Sequence, residues 1–156
     1  LWSTWRDVSE RRHAVLALEH QARHDPLTGL PNRKWVAERL QALLAPAQAR
    51  TEGVALLLMD LDHFKEINDA LGHFAGDQLL KLVGPRLAPL LDQHDGEIAR
   101  LGGDEFALIL RRCGDEDRVQ GLARELGDAL RKPFQVGLLR LAIDASIGAA
   151  MYPAHG

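Results

Sequence analysis

The sequence predicts a domain of the α/β or α+β class, in which helices cover a mixed β-sheet. Three observations support this prediction. The apolar run GVALLLMD, at residues 53–60, has the length of a strand and ends in an acid. A glycine pair, Gly102 and Gly103, separates two short apolar segments, as in a β-hairpin. Segments with the helical spacing of apolar residues alternate with these strands.

Length and composition are those of one globular domain with a substantial core, because 46% of the 156 residues are hydrophobic. The net charge of −3 provides no basic surface, which excludes nucleic acid as an expected partner. The single cysteine, Cys113, cannot form an internal disulfide, which favours a reducing compartment. Since no apolar run is as long as a membrane span, we expect a cytoplasmic domain, whether or not its parent protein is membrane-anchored.

The N-terminal segment differs in pattern from the rest of the chain. Residues 9–24 carry apolar side chains amid charges, with Ser9 as a suitable N-cap, and predict an exposed amphipathic helix. The preceding stretch, LWSTWRDVSERR, has the character of the end of another domain. We therefore predict a boundary near Asp25, with residues 1–24 forming a linker and residues 25–156 the main domain.

The main domain begins with DPLTGLPNR, at residues 25–33, where Pro, Gly and Asn predict a turn in which Arg33 pairs with Asp25 or a neighbour. The apolar run at residues 53–60 is predicted to be a strand buried on both faces. Further helices are predicted over residues 33–44, 77–91 and 115–131. Further strands are predicted over residues 97–101, 106–111, 134–136 and 139–152.

Acidic residues stand where the first strand opens into a loop. Asp60 and Asp62 could bind a hard cation there, and Mg²⁺ characteristically takes only one or two protein carboxylates together with phosphate oxygens. A calcium loop of the EF-hand type is excluded by its spacing. That loop needs Gly at its sixth position and Glu at its twelfth, where this chain has Lys65 and Leu71.

Two further pairs of polar residues have both a functional and an ordinary interpretation. Asp104 and Glu105 follow the glycine pair, and taken alone they would most often be solvated turn residues. Asn68 and Asp77 could bind the polar edge of a base, but taken alone they would more often be a turn residue and a helix N-cap.

Taken together, four motifs resemble the GGDEF domains of bacterial diguanylate cyclases. They are DPLTGLPNR (residues 25–33), DLDHFKEINDALGHFAGD (60–77), RLGGDEF (100–106) and SIGAAMYP (146–153). The resemblance implies a ferredoxin-like α+β fold, shared with nucleotide cyclases and palm-type polymerases, with a mixed sheet flanked by helices. It also implies that a helix and a strand follow the last motif, so we expect the chain as given to lack them and to be weakly active or inactive.

The resemblance implies a reaction in which two GTP molecules are joined into cyclic di-GMP with release of pyrophosphate. Each domain of a homodimer presents one GTP, and the 3′-hydroxyl of one nucleotide attacks the α-phosphate of the other. Asp60 and Asp104, with the backbone carbonyl of Leu61, would bind Mg²⁺, with Mn²⁺ as the alternative ion. Glu105 would assist deprotonation of the hydroxyl.

The same resemblance assigns the substrate contacts. Backbone N–H groups near the start of a helix would bind the β- and γ-phosphates, from Asp62, His63, Phe64 and Lys65. The Lys65 side chain either contacts a phosphate or balances the acids, and the His63 side chain is expected in solvent. Asn68 and Asp77 would bind guanine, because a carboxylate can accept from both N1–H and the exocyclic amine.

Two expectations concern regulation. The head, WSTWRDVSERR, resembles the closing strand and exit of a PAS sensor domain, so residues 1–24 would be the end of a sensor and a signalling helix that pairs with its twin. Many members carry an inhibitory product site with an Arg-x-x-Asp motif. Here Gln93 and Gly96 replace its Arg and Asp, so no such site is expected.

Two functions remain open. The first is an active GTP-condensing enzyme, favoured because the acids of the hairpin and of the first strand are all present. The second is a non-catalytic module that binds GTP or regulates a partner domain, such as a fused phosphodiesterase. GTP turnover with Mg²⁺ distinguishes them.

Overall fold

The computed structural model describes residues 2–44 and 53–152, so the last residue of SIGAAMYP lies outside the described residues. The helices are α1 (Trp2–Arg23), α2 (Arg33–Leu43), α3 (Phe64–Leu71), α4 (His73–Gln93) and α5 (Glu116–Arg131). The strands are β1 (Val54–Leu61), β2 (Gly96–Gly102), β3 (Glu105–Arg111), β4 (Phe134–Val136), β5 (Leu139–Leu141) and β6 (Ala145–Tyr152). No helix in this described part is both long and apolar enough to cross a membrane.

The strands form a four-stranded sheet in the order β2-β3-β1-β6 and a separate β4-β5 hairpin. Helices α3 and α4 connect β1 to β2, and α5 lies between β3 and the last strand, which is the ferredoxin-like arrangement. This confirms the predicted α+β fold. Every strand pair in the described sheet is antiparallel, so the sheet is not mixed as predicted. Strand β3 of the hairpin lies between β1 and β2 and pairs with both.

The main core lies between one face of this sheet and helices α4 and α5. Alternate residues of β1, such as Leu57 and Met59, are buried there with Leu79 of α4 and Leu126 of α5. On the other face, α2 covers only the first part of β1, and Leu58 is 51% exposed. The prediction that β1 is buried on both faces is therefore wrong for its second half, and Asp60 lies at this uncovered end.

Three predicted boundaries differ from the structure. Helix α1 begins at Trp2, so Ser9 lies inside it and is not its N-cap, and the closing strand expected in the head is helical instead. No Pro or Gly interrupts residues 2–23, so nothing there ends a helix. The strand predicted over residues 139–152 is divided, because β5 pairs with β4 whereas β6 pairs with β1.

The fourth difference concerns the predicted guanine ligands. Helix α4 begins at His73 rather than at residue 77, so Asp77 lies within a helix and is not an N-cap. Asn68 lies within α3 and is not a turn residue. Gly72, with φ of +92°, ends α3 and allows α4 to start at once. The ordinary interpretations of both polar residues are therefore wrong.

Candidate functional site

The ladder between β1 and β3 places Asp60 directly opposite Glu105. One step further, the Leu61 N–H donates to the Asp104 carbonyl oxygen, 3.2 Å away. Asp60 and Glu105 therefore form a non-hydrogen-bonded pair, whose Cα atoms are about 4.5 Å apart and whose side chains share one face. The structure thus brings the predicted catalytic acids and the predicted backbone ligand to one end of the sheet.

The hairpin turn positions Asp104. Gly102 pairs with Glu105, which leaves Gly103 and Asp104 as the two turn residues. Gly102 and Gly103 have φ values of +140° and +51°, which residues with a side chain rarely adopt. The glycine pair is therefore required by the turn that carries the acids, as the sequence predicted.

Asp60 and Glu105 line a small cleft of about 140 Å³ together with apolar residues, and Asp104 lies outside its lining. No three or more His, Cys, Asp or Glu side chains of the described residues are grouped as a metal site. Asp60, Asp104 and the Leu61 carbonyl would instead supply a few oxygen ligands. This is a donor set that fits Mg²⁺, which completes its shell with water and phosphate oxygens. The residues fit an ion that binds together with a nucleotide.

Arg100 clamps the hairpin turn to the segment after α1. Its Nη1 donates to Asp25 Oδ1 at 2.9 Å, and its Nε and Nη2 donate to the Gly103 carbonyl at 3.1 and 2.9 Å. Its backbone N–H donates to the Pro31 carbonyl at 2.9 Å. The Arg100 and Asp25 side chains are each only 13% exposed. The Arg100 side chain therefore fixes the Gly103 carbonyl, which directly precedes Asp104. The same side chain is itself held by a largely desolvated ion pair with Asp25.

The predicted partner of Arg33 is wrong. Asp25 pairs with Arg100 and accepts from Thr28, whereas Arg33 Nη2 lies 3.7 Å from Glu105 Oε2. Arg33 is the first residue of α2, and that end of the helix lies beside the hairpin. The sequence contained both arginines within its motifs but gave no sign of which carboxylate each would reach.

The pKa of Asp25 reflects this clamp. Burial raises the pKa, but hydrogen bonds from the Thr28 N–H and hydroxyl and from Arg100, together with the Arg100 charge, outweigh that effect and leave it below its usual value. A carboxyl with a lowered folded-state pKa adds stability above its unfolded pKa of about 3.9. That contribution is lost as the pH falls through the folded-state value.

We expect Asp25→Asn to lower the free energy of unfolding at pH 7 by about 1–3 kcal/mol, because Arg100 loses its charged partner in a buried setting. The loss should shrink as the pH falls from about 3.9 through the lower folded-state pKa of Asp25, below which the wild-type carboxyl is neutral as well. Urea unfolding at pH 7 and below pH 4 measures both effects. Asp128→Asn, which neutralises an exposed acid on α5, is the control. An equal loss at both pH values would contradict this account.

The loop after β1 is held by contacts that the sequence did not reveal. The Asp62 N–H donates to the Asp144 carbonyl at 2.9 Å, and the Asp62 carboxylate accepts from Ser146 Oγ at 2.7 Å. Since the Asp62 N–H is occupied, only the N–H groups of residues 63–65 remain for the predicted phosphate contacts. Asp62 orients the loop, and Ser146 holds the Asp62 carboxylate, a role that its own motif did not indicate.

The N–H groups of residues 63–65 lie at the N-terminus of α3, where His63 is the N-cap residue. His63 has φ of +59°, a left-handed conformation that is strained for a residue with a side chain and is often found at functional sites. Its exposed imidazole lies 3.8 Å from Glu66. The Phe64 side chain is buried and Lys65 is exposed, so Phe64 could contact a substrate only through its backbone, whereas the Lys65 ammonium is free to reach a phosphate.

The two predicted guanine ligands lie on adjoining helices. Asn68 Oδ1 is buried and has no hydrogen-bond partner among the described residues. A Cβ at Gly76 would lie 1.8 Å from this oxygen, so only glycine lets the amide lie against α4. Asp77 follows directly and is exposed. Because buried polar atoms are rarely left unpaired, this amide is suited to a ligand that supplies the missing partner once a small movement of the side chain exposes the oxygen.

A comparison with protein families agrees with this geometry. The family profile described as "Diguanylate cyclase, GGDEF domain" matches residues 22–156. The matched span contains all the residues of the candidate site, together with the turn that Arg100 clamps to the hairpin.

Related proteins carry the same kind of domain within longer chains. The cyclic di-GMP phosphodiesterase NbdA of Pseudomonas aeruginosa is 34% identical over 172 residues, which cover 100% of this chain and 22% of NbdA. The diguanylate cyclase TpbB of the same species is 38% identical over 153 residues, which cover 97% of this chain and 34% of TpbB. The chain thus spans about a fifth to a third of the length of these relatives.

Solved structures show the same architecture. The crystal structure of the coiled coil and GGDEF domain of DgcB from Caulobacter crescentus, in complex with c-di-GMP, matches with a TM-score of 0.85 at 26% identity. The match covers 99% of this chain and 82% of that chain, and it therefore includes α1 as well as the sheet.

Proposed function

Because the chain belongs to the GGDEF family of diguanylate cyclase domains, we propose that it condenses two GTP molecules into cyclic di-GMP and releases pyrophosphate. The observation that carries this proposal is the register that sets Asp60 opposite Glu105, with Asp104 at the adjoining turn. Carboxylate and carbonyl oxygens are the protein ligands that Mg²⁺ combines with the oxygens of a triphosphate.

Asp60, Asp104 and the Leu61 carbonyl would hold Mg²⁺, or Mn²⁺ in its place. When bound, this ion would neutralise triphosphate charge and favour attack at the α-phosphate. Glu105 is exposed on the hairpin, so its carboxylate can accept the proton of the 3′-hydroxyl presented by a second domain. The hydroxyl oxygen forms the new bond to the α-phosphorus, the bond to the β-phosphate oxygen breaks, and pyrophosphate leaves.

Recognition of the base would come from Asn68 and Asp77. After a small movement that exposes it, the unpaired Asn68 Oδ1 would accept a hydrogen bond from guanine, and the exposed Asp77 carboxylate can accept from N1–H and the exocyclic amine. Adenine lacks this pair of donors, so the site would select GTP over ATP.

The reaction requires two copies of the domain. The hairpin acids of one domain hold only one GTP, so a homodimer must bring a second nucleotide to face them. Relatives carry this kind of domain within longer chains, so a PAS sensor before α1 and a phosphodiesterase after the domain are the candidate attached domains. GTP is a cytoplasmic substrate, so we place the reaction in the cytoplasm.

GTP turnover by the full-length protein tests the proposal. With Mg²⁺ present, chromatography should detect cyclic di-GMP and pyrophosphate in a 1:2 ratio, and chelation of the metal should stop their formation. ATP in place of GTP should give no cyclic product. GTP binding without any product would contradict catalysis.

A non-catalytic regulatory module is the second candidate function. The observation that favours it is the similarity to NbdA, which is named as a phosphodiesterase. On this alternative, GTP would bind at Asn68 and Asp77 without condensation and would change the activity of an attached domain. Measuring GTP binding and product formation on the same preparation separates the two candidates.

Product feedback through the family's inhibitory site is expected to be absent. Gln93 ends α4 and Gly96 begins β2, so neither supplies the charged group of an Arg-x-x-Asp motif. A Cβ at Gly96 would lie 2.9 Å from the Cδ2 atoms of Leu91 and Leu110, so a side chain there would require both to move. Initial rates should therefore be insensitive to micromolar cyclic di-GMP. Tight binding by calorimetry that Gln93→Ala abolishes would contradict this prediction.

A further inference from the structure

Two carboxylates meet at the end of the β1–β3 ladder. Asp60 and Glu105 stand directly opposite each other, and Asp104 is at the adjoining turn. Like charges opposite each other in a sheet are destabilising. Within the described part of the chain, one of these three acids is in an ion pair with a basic side chain. Glu105 pairs with Arg33, whose Nη2 lies 3.7 Å from its Oε2.

The stability of α2 does not explain why Arg33 is there. Arg33 is the first residue of α2, whose first turn contains no acid, and a positive charge at this end opposes the helix dipole. The helix is capped by Asn32, whose Oδ1 accepts from the Trp35 N–H at 3.1 Å. The Arg33 guanidinium is largely exposed, so it contributes little to packing. Among the described residues, the interaction that the Arg33 side chain makes is the ion pair with Glu105.

We propose that Arg33 is a positioning residue that supplies the counter-charge of the acidic hairpin before the metal and GTP arrive. It holds the Glu105 carboxylate beside Asp60, and its charge competes with that of the incoming divalent ion. This inference rests on the proposed function, because it takes the hairpin acids as the metal and proton-transfer groups. Arg33 acts through Glu105 and is not assigned a contact with substrate.

The proposal predicts effects of opposite sign on metal binding and on turnover. Removing one positive charge several ångströms from the ion should tighten metal binding about three- to tenfold. Turnover at saturating metal should nevertheless fall, by about two- to fivefold, because the exposed ion pair that orients Glu105 is lost. The KM for GTP should change less than about twofold, since Arg33 does not bind the nucleotide in this account. The melting temperature should stay the same or rise slightly, because an unfavourable charge leaves the helix N-terminus.

The test compares Arg33→Ala and Arg33→Lys with Arg39→Ala in the full-length protein. Arg39 is a matched control on the same helix, where it pairs with Glu97 at 3.1 Å, away from the hairpin acids. Mn²⁺ binding is measured by electron paramagnetic resonance in the presence of 3′-deoxyGTP, which cannot condense. Arg33→Ala should bind Mn²⁺ more tightly, whereas Arg33→Lys and Arg39→Ala should bind it like the wild type.

The outcomes separate this inference from the proposed function. If Asp104→Asn weakens Mn²⁺ binding but Arg33→Ala leaves it unchanged, the role of Arg33 is wrong and the metal site stands. An equal tightening in Arg39→Ala would also overturn it, because the effect would then be one of net charge. If Asp104→Asn does not weaken Mn²⁺ binding, the metal site itself is wrong, and both proposals fall.

Discussion

Asp104→Asn is expected to abolish GTP condensation and to leave the fold intact. The substitution keeps the shape of the side chain at the hairpin turn but removes one of the two carboxylates assigned to the metal. Loss of a metal contact removes several kcal/mol of transition-state stabilisation, so turnover should fall on the order of a thousandfold or more. The Asp104 carbonyl, which accepts from the Leu61 N–H, is unchanged, so the ladder should persist.

Cyclic di-GMP formation and thermal melting of the same preparations check this prediction. The melting temperature should remain within a few degrees of the wild type, which corresponds to less than about 1 kcal/mol. Asp128→Asn removes the same charge from an exposed position on α5 and should retain activity. Normal turnover by Asp104→Asn would show that the metal is held elsewhere.

Local pattern was sufficient to predict the parts of the fold that depend on neighbouring residues. The hairpin followed from two glycines that its turn requires, and α5 followed from apolar residues at helical spacing, which the structure buries at Leu122, Leu126 and Leu130. The strand β1 followed from an unbroken apolar run. How far β1 is covered could not be predicted, because that depends on where α2 packs rather than on the strand's own residues.

The sequence predicted which residue types form the candidate site but not which of its side chains contact one another. The sequence identifies the acids, but only the ladder between β1 and β3 shows that Asp60 and Glu105 lie opposite each other. The contact of Arg100 with Asp25 joins residues 75 positions apart, and that of Ser146 with Asp62 joins residues 84 apart. No local periodicity encodes such contacts. They arise only when the sheet and the turn after α1 are assembled.

Asn68 of the proposed guanine site shows the same limit of prediction from sequence. Sequence alone left Asn68 as either a turn residue or a base ligand, because both roles suit a short amide. The structure places Asn68 within α3 and buries its Oδ1 against Gly76 without a partner. This burial costs stability in the free protein, which a nucleotide could recover by donating a hydrogen bond. The position of Gly76 therefore offers a direct test of the site.

Gly76→Ala is expected to remove most of the affinity for GTP. The added methyl group would lie 1.8 Å from Asn68 Oδ1 and 3.1 Å from Phe64 Cζ, so the Asn68 side chain must leave its present position. Losing this hydrogen bond to guanine should weaken binding about tenfold or more. The better helix propensity of Ala adds about 1 kcal/mol of stability, but the crowding costs about 1–3 kcal/mol, so the protein should be slightly destabilised.

Gly121→Ala provides the matched control, because Gly121 also lies inside a helix but has nothing within 4 Å of the position of an added Cβ. This variant should gain about 0.5–1 kcal/mol of stability and bind GTP like the wild type. Calorimetric titration with 3′-deoxyGTP measures the affinity of both variants without turnover, and urea unfolding measures their stability. If Gly76→Ala bound the nucleotide as tightly as Gly121→Ala, then Asn68 could not be a guanine ligand in this orientation. Base recognition would then have to come from Asp77 alone or from another surface.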